Sequence, residues 1–88
     1  MAWTVDYTET AQKQFRKLDK QVARRILDFL DERLAASEDP RSIGKALSGP
    51  LGSFWRYRVG EYRIICDIQD GHLRVLVVQI GNRREVYR

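Results

Sequence analysis

All seven cations between residues 53 and 88 are arginines: Arg56, Arg58, Arg63, Arg74, Arg83, Arg84 and Arg88. Three of them sit in Phe54-Trp55-Arg56-Tyr57-Arg58-Val59 and Tyr62-Arg63-Ile64-Ile65-Cys66-Asp67, two alternating stretches joined by Gly60-Glu61. Period-two alternation is the mark of a strand, and glycine at the first central position of a two-residue loop suits a type II′ hairpin turn. That loop sets the register: Val59 faces Tyr62, Arg58 faces Arg63, Tyr57 faces Ile64, Arg56 faces Ile65 and Trp55 faces Cys66. One face is then apolar or aromatic throughout, and the other carries Arg56, Arg58 and Arg63. Like charges directly opposed across a strand pair destabilise it, so the Arg58–Arg63 pair suits an anion site in which guanidinium forks converge on one phosphate. The plainer alternative is three solvated arginines on a water-facing sheet. The terminus Gln79-Ile80-Gly81-Asn82-Arg83-Arg84-Glu85-Val86-Tyr87-Arg88 adds three cations and the Tyr87 phenol; its plainer reading is a charged tail.

The remaining elements must hold that hairpin. Trp3, Val5 and Tyr7 alternate with Thr4 and Asp6, which predicts a short strand. Thr8 can cap a helix whose buried stripe is Ala11, Phe15 and Leu18. Asp19 opens a second helix running to about Ala36, with Val22, Ile26, Phe29 or Leu30, and Leu34 inward. Ser37–Gly52 is rich in turn formers, and a connection this long is more often functional than idle. Its only lysine is Lys45. Asp70-Gly71 predicts a type I′ turn that pairs Ile68 with Leu73, Asp67 with Arg74, Cys66 with Val75, Ile65 with Leu76, Ile64 with Val77 and Arg63 with Val78. The expected order is βααβββ, an α+β fold in which a helical hairpin packs on one face of a small, mostly antiparallel twisted sheet. Residues 1–88 are expected to form one domain.

That register sends Trp55, Tyr57, Val59, Tyr62, Ile64, Cys66, Val75 and Val77 toward the helices. Arg56, Arg58, Arg63 and Arg74 look away, together with Ile65, Leu76, Val78 and Ile80. An exposed apolar floor ringed by cations usually receives something. We expect a phosphodiester chain and a protein segment to use this face at different times.

Composition agrees with an anionic partner. The net charge is +4, with residues 1–52 carrying nine cations against eight anions and residues 53–88 seven against four. Nucleic acid leads the partner classes, ahead of an acidic protein or a membrane surface. The single cysteine, Cys66, allows neither a disulfide framework nor a zinc spacing, which suggests a reducing, cytoplasmic setting. Met1–Tyr7 does not read as a secretory signal, and no apolar run approaches the ~20 residues of a membrane span.

The chain resembles the RelE/ParE superfamily of bacterial toxin–antitoxin toxins, and its RelE branch in particular. The matching residues are Leu47-Ser48-Gly49, Trp55-Arg56-Tyr57-Arg58, Gly60-Glu61-Tyr62-Arg63-Ile64, and Ile80-Gly81-Asn82-Arg83-Arg84-Glu85-Val86-Tyr87. The resemblance implies a ribosome-dependent messenger-RNA endonuclease held inactive, in a hetero-oligomer, by a cognate antitoxin. It implies that Arg58, Arg63, Arg83 and Tyr87 are catalytic. Arg56, Arg58 and Arg63 would contact the message and its scissile phosphate, Arg83 would stabilise charge or assist the leaving oxygen, and Tyr87 would orient or help deprotonate the attacking 2′-hydroxyl. Arg84 and Lys45 are further candidates for RNA contact, the plainer reading of Lys45 being a solvated cation. On the helices, Lys13, Arg16, Lys17, Lys20, Arg24 and Arg25 read one by one as a solvated face and as a group as a dock for ribosomal RNA phosphates, with Lys13, Lys17 and Arg24 the RNA-binding candidates. No metal or cofactor is expected.

The resemblance also exposes a gap. Many relatives carry histidine where Asn82 stands, and some carry lysine at Arg56 or Arg58. Neither arginine nor asparagine can act as a general base. His72, the only histidine, follows the Asp70-Gly71 turn at the far end of a hairpin. Tyr87 would need surrounding arginines to depress a phenol pKa near ~10, and Glu61 and Glu85 are expected to pair with those arginines. The site reads as one for electrostatics and orientation, with little cutting of free RNA. Two alternatives stay open: a ParE-like toxin that poisons DNA gyrase, and a toxin-like binding module without catalysis.

Overall fold

The computed structural model describes residues 3–47 and 54–82. It opens with strand β1 (Thr4–Tyr7), helix α1 (Glu9–Arg16) and helix α2 (Lys20–Asp28), which continues as π-helical turns over Phe29–Leu34. A 3-10 turn (Pro40–Ile43) leads into the short strand β2 (Lys45–Ala46). Strands β3 (Phe54–Val59), β4 (Tyr62–Gln69) and β5 (Arg74–Asn82) complete the sheet, with a 3-10 turn at Asp70–His72. The sheet order is β1-β5-β4-β3-β2. β1 runs parallel to β5, and the other pairings are antiparallel. None of the described helices is long and apolar enough to cross a membrane.

Local chemistry explains where the helices begin. The Thr8 hydroxyl accepts from the Ala11 amide at 3.1 Å, and the Asp19 carboxylate accepts from the Gln21 amide at 3.0 Å. Each cap satisfies a donor that a helix start leaves orphaned. Ala11, Ile26, Leu30 and Leu34 are buried against Tyr57, Ile64, Cys66, Val75 and Val77, so the apolar stripes of α1 and α2 close over the inner face of the sheet as expected. The second helix changes its winding before Ala36: the Ala35 amide donates to the Leu30 carbonyl at 2.8 Å, a π-type bond five residues back.

The β3–β4 hairpin has the expected register at every pair, from Val59–Tyr62 to Trp55–Cys66. Gly60 has φ +59° and Glu61 is not in the left-handed region, the pattern of a type II′ turn.

The β4–β5 hairpin does not have the expected register. Asp70-Gly71 is not a two-residue turn: Asp70–His72 winds as a 3-10 turn, and Leu73 closes it at φ 47°. Gln69 then pairs with Arg74 and Cys66 with Val77, which moves the register by two residues and keeps the faces. A bulge between Ile65 and Cys66 moves it again, so that Ile65 pairs with Gln79 and Ile64 with Ile80. This second shift turns Ile80 inward, where it is 2% exposed within the core. The expectation that Ile80 looks away from the helices is therefore corrected. The long connection also adds a fifth strand to the expected four. Lys45 pairs with Arg56 and Ala46 with Trp55.

Candidate nucleic-acid interface

Side chains directly opposed in a strand pair share a sheet face. The register therefore sets Lys45 beside Arg56 and Arg58 beside Arg63, all four on the face turned from the helices. Arg56 and Arg58 are two residues apart on β3, roughly 7 Å along the strand. The result is two rungs of paired cations along one strip. Lys45 and Arg58 are exposed, and Arg56 is half-buried.

Arg63 differs from the expected exposed rim. It is only 5% exposed. Its Nη1 donates to the carbonyl of Tyr62 at 3.4 Å, and its buried Nε has no hydrogen-bond partner. No carboxylate among the described residues forms an ion pair with it. Ile65, which faces Arg56 from β4, is 1% exposed, while Leu76 and Val78 are half-buried. The apolar floor is thus more covered than alternation alone suggests.

Arg74 stands apart from the strip. Its Nε donates to the Gln69 side-chain oxygen at 2.6 Å, and its Nη1 lies 3.5 Å from the Asp6 carboxylate. A cation with two such partners is committed to holding β1, β4 and β5 together. Glu61 is exposed and, contrary to expectation, pairs with no arginine among the described residues.

Lys13, Lys17 and Arg24 are exposed on the helices, in the layer opposite the arginine strip. Lys13 lies 3.9 Å from Glu9 and Arg24 3.5 Å from Asp28. Lys17 borders a cleft of about 350 Å³ with Gln14, Tyr62 and Gly81. Lys13 and Arg24 thus sit in the helix layer, whereas the cleft beside Lys17 reaches Gly81, the cross-strand partner of Arg63. His72 is exposed at the far hairpin tip. Arg83, Arg84 and Tyr87 lie outside the described residues, as do Glu85 and Arg88.

Sequence reasoning missed what braces the strip. Tyr57, on the inner face behind Arg56 and Arg58, is 1% exposed. Its hydroxyl donates to the Pro40 carbonyl at 2.7 Å, and its ring meets Phe29 with centroids 5.9 Å apart. Burial holds the Tyr57 phenol well above its ordinary pKa, so it is a neutral donor. Arg41 reaches Asp70 with both terminal nitrogens, Nη1 at 3.0 Å. That bond and its charge hold the Asp70 carboxyl below the usual carboxylate value. Alternation does place Tyr57 inward, but nothing in it names Pro40 or Asp70 as partners.

The family model described as "ParE toxin of type II toxin-antitoxin system, parDE" matches residues 5–87. Toxin RelG of Mycobacterium tuberculosis is 31% identical over 88 residues, covering 100% of this chain and 99% of that protein. The mRNA interferase toxin RelE of Escherichia coli K12 is 32% identical over 90 residues, covering 99% of this chain and 92% of that protein. Among solved structures, the toxin–antitoxin complex RelBE2 of Mycobacterium tuberculosis contains a chain that superposes with a TM-score of 0.86 at 27% identity, covering 97% of this chain and 95% of that one. The expected fold is thereby met in known structures, and the match to sequence relatives runs nearly end to end. The chain belongs to the RelE/ParE family of type II toxin–antitoxin toxins.

Proposed function

We propose that this toxin is a ribosome-dependent endoribonuclease that cuts messenger RNA, and that a cognate antitoxin silences it by binding. One observation carries the reading: the buried guanidinium of Arg63, whose Nε has no partner and which lies opposite a second arginine, Arg58. Withdrawing a charge from water costs several kcal/mol unless something compensates. A phosphate brought to this face would compensate, since its oxygens match the guanidinium fork. Support for the RNA comes from the Escherichia coli relative, named an mRNA interferase. Support for the partner comes from the structurally similar chain, which belongs to a toxin–antitoxin complex.

In the proposed reaction the 2′-hydroxyl gives its proton to solvent as its oxygen bonds to the adjacent 3′-phosphorus, and the bond from phosphorus to the 5′-oxygen breaks. The products are a 2′,3′-cyclic phosphate and a 5′-hydroxyl that has taken up a proton. Arg58 and Arg63 hold the non-bridging oxygens as charge grows on them. Arg83 assists the leaving oxygen, Tyr87 orients the 2′-hydroxyl, and Arg56, Arg84 and Lys45 hold the flanking chain. Lys13, Lys17 and Arg24 dock ribosomal RNA. Charge stabilisation of this kind typically accounts for about 10²–10³ in rate per donor. A general base adds about 10²–10⁴, and no described residue is assigned that role. In this reading the ribosome contributes substrate positioning.

Primer extension on translated messages after induction tests the proposal. New 5′ ends inside open reading frames, absent when translation is blocked, are expected. The family description also carries the name of ParE, which favours a gyrase poison as the second reading. Trapped DNA breaks with intact messages would establish that reading instead.

A further inference from the structure

Gly44 has no conformational reason to be glycine. Its backbone is extended, at φ −118° and ψ −174°, a region any residue adopts. The constraint is steric. A Cβ at this position would lie 2.6 Å from Cε1 and 2.8 Å from Cζ of Tyr57, and 3.2 Å from the Arg56 carbonyl oxygen. These distances are too short for a carbon contact, whose optimum is about 3.5–4.0 Å.

Nor can the Tyr57 ring readily yield. Its hydroxyl is tied to Pro40 at 2.7 Å, one side meets Phe29, and the residue is fully enclosed. The segment that supplies the Pro40 carbonyl is itself pinned. The Asp39 carboxylate accepts from the Arg41 amide at 3.1 Å, the Ser42 hydroxyl donates to the Asp39 carbonyl at 2.8 Å, and Arg41 grips Asp70 across the sheet. Gly44 thus rests on a fixed ring, and Lys45 is the next residue, opposite Arg56.

We propose that Tyr57 and Gly44 are positioning residues for the Lys45–Arg56 rung, setting how closely edge strand β2 lies against β3 and so where the Lys45 ammonium meets an RNA phosphate. The inference rests on the RNA-binding reading above. Among the described residues β2 has two residues and one strand neighbour, and its ladder runs on only to the Leu47 amide, which donates to the Phe54 carbonyl at 3.1 Å. A bracket built from Pro40, Tyr57 and Gly44 adds to that short ladder in fixing the strand. Glycine lets the strand approach the ring closely, and the Tyr57 hydroxyl keeps the ring at one height.

The test is the salt dependence of binding to a single-stranded RNA oligonucleotide, since each phosphate contact contributes about 0.7 to the log–log slope. Lys45→Ala should lower the slope magnitude by about 0.7. Gly44→Ala should lower it by a similar amount with Lys45 still present, and should change nothing further in the Lys45→Ala background. Tyr57→Phe keeps the ring and removes the tie to Pro40. It serves as a second probe should Gly44→Ala unfold, and should move the slope the same way. Circular dichroism melts identify folded variants. A merely structural role for Gly44 and Tyr57 leaves the slope at its wild-type value in folded variants, and that result overturns the proposal. So does a further loss from Gly44→Ala in the Lys45→Ala background. If Lys45→Ala leaves the slope unchanged, the RNA role of Lys45 itself has failed and the positioning role falls with it; RNA that does not bind the wild-type toxin at all overturns the positioning role too, while the ribosome-dependent reading stands or falls separately on primer extension.

Discussion

Arg63 shows how a residue's environment can oppose stability. A guanidinium that is almost wholly buried, with an unmatched Nε, is a poor way to fill a sheet and a good way to await an anion. Replacing even a buried ion pair with apolar groups of similar volume is often neutral or stabilising by about 1–4 kcal/mol, and Arg63 has no counter-ion among the described residues to lose. Arg63→Met should therefore melt at or above the wild-type temperature, and calorimetry of the purified variant checks this. A marked loss of stability would mean that the guanidinium serves the fold. Alternation and the turn made part of this legible, because they place Arg58 opposite Arg63. The burial was not legible. It depends on neighbours brought in by tertiary packing, which no local period encodes.

At the scale of elements, the β3–β4 hairpin could be read from sequence because its turn is self-contained: glycine supplies the positive φ, and the flanking periods agree. The β4–β5 hairpin could not: its Asp70-Gly71 pair suits a two-residue turn, and nothing local marks the 3-10 winding found there. Arg41 holds Asp70 from 29 residues upstream, and the chain uses four residues, Asp70 to Leu73, where two were expected. The two-residue strand β2 was hidden for the same reason, since it exists only through its pairing with β3. The Arg41–Asp70 pair has a pH signature. The Asp70 carboxyl titrates below its ordinary 3.8, first through its hydrogen bond with Arg41. An acid with a lowered folded pKa contributes stability that is complete above the ordinary value and is lost as pH falls through the lowered one. Wild-type and Asp70→Asn melting temperatures should therefore differ by a constant amount at neutral and mildly acidic pH, and should converge in strong acid. A gap that widens on acidification contradicts the pairing.

For the whole molecule, the two layers divide the proposed work. The sheet presents the paired cations, and the helices present Lys13, Lys17 and Arg24. The ion pairs Lys13–Glu9 and Arg24–Asp28 are solvent-exposed, and such pairs contribute about 0–1 kcal/mol. Replacing the three helix cations with alanine should leave the melting temperature nearly unchanged. Ribosome binding should weaken, with the log–log salt slope reduced by about 0.7–0.9 for each phosphate no longer engaged; unaltered affinity in a salt titration would remove those cations from the interface. Fold and layer arrangement were legible in the sequence, since stripe spacing, caps and strand periods all pointed one way. How the sheet's two faces divide at β5 was not, because a single bulge reverses every side chain beyond it.

The most direct test is the single-turnover cleavage rate of a ribosome-bound message by wild-type toxin and by Arg63→Met, with ribosome affinity measured in parallel. The account predicts that cleavage slows by about 10²–10³ while the variant stays folded and bound. Cleavage at the wild-type rate by a folded, bound Arg63→Met would contradict it.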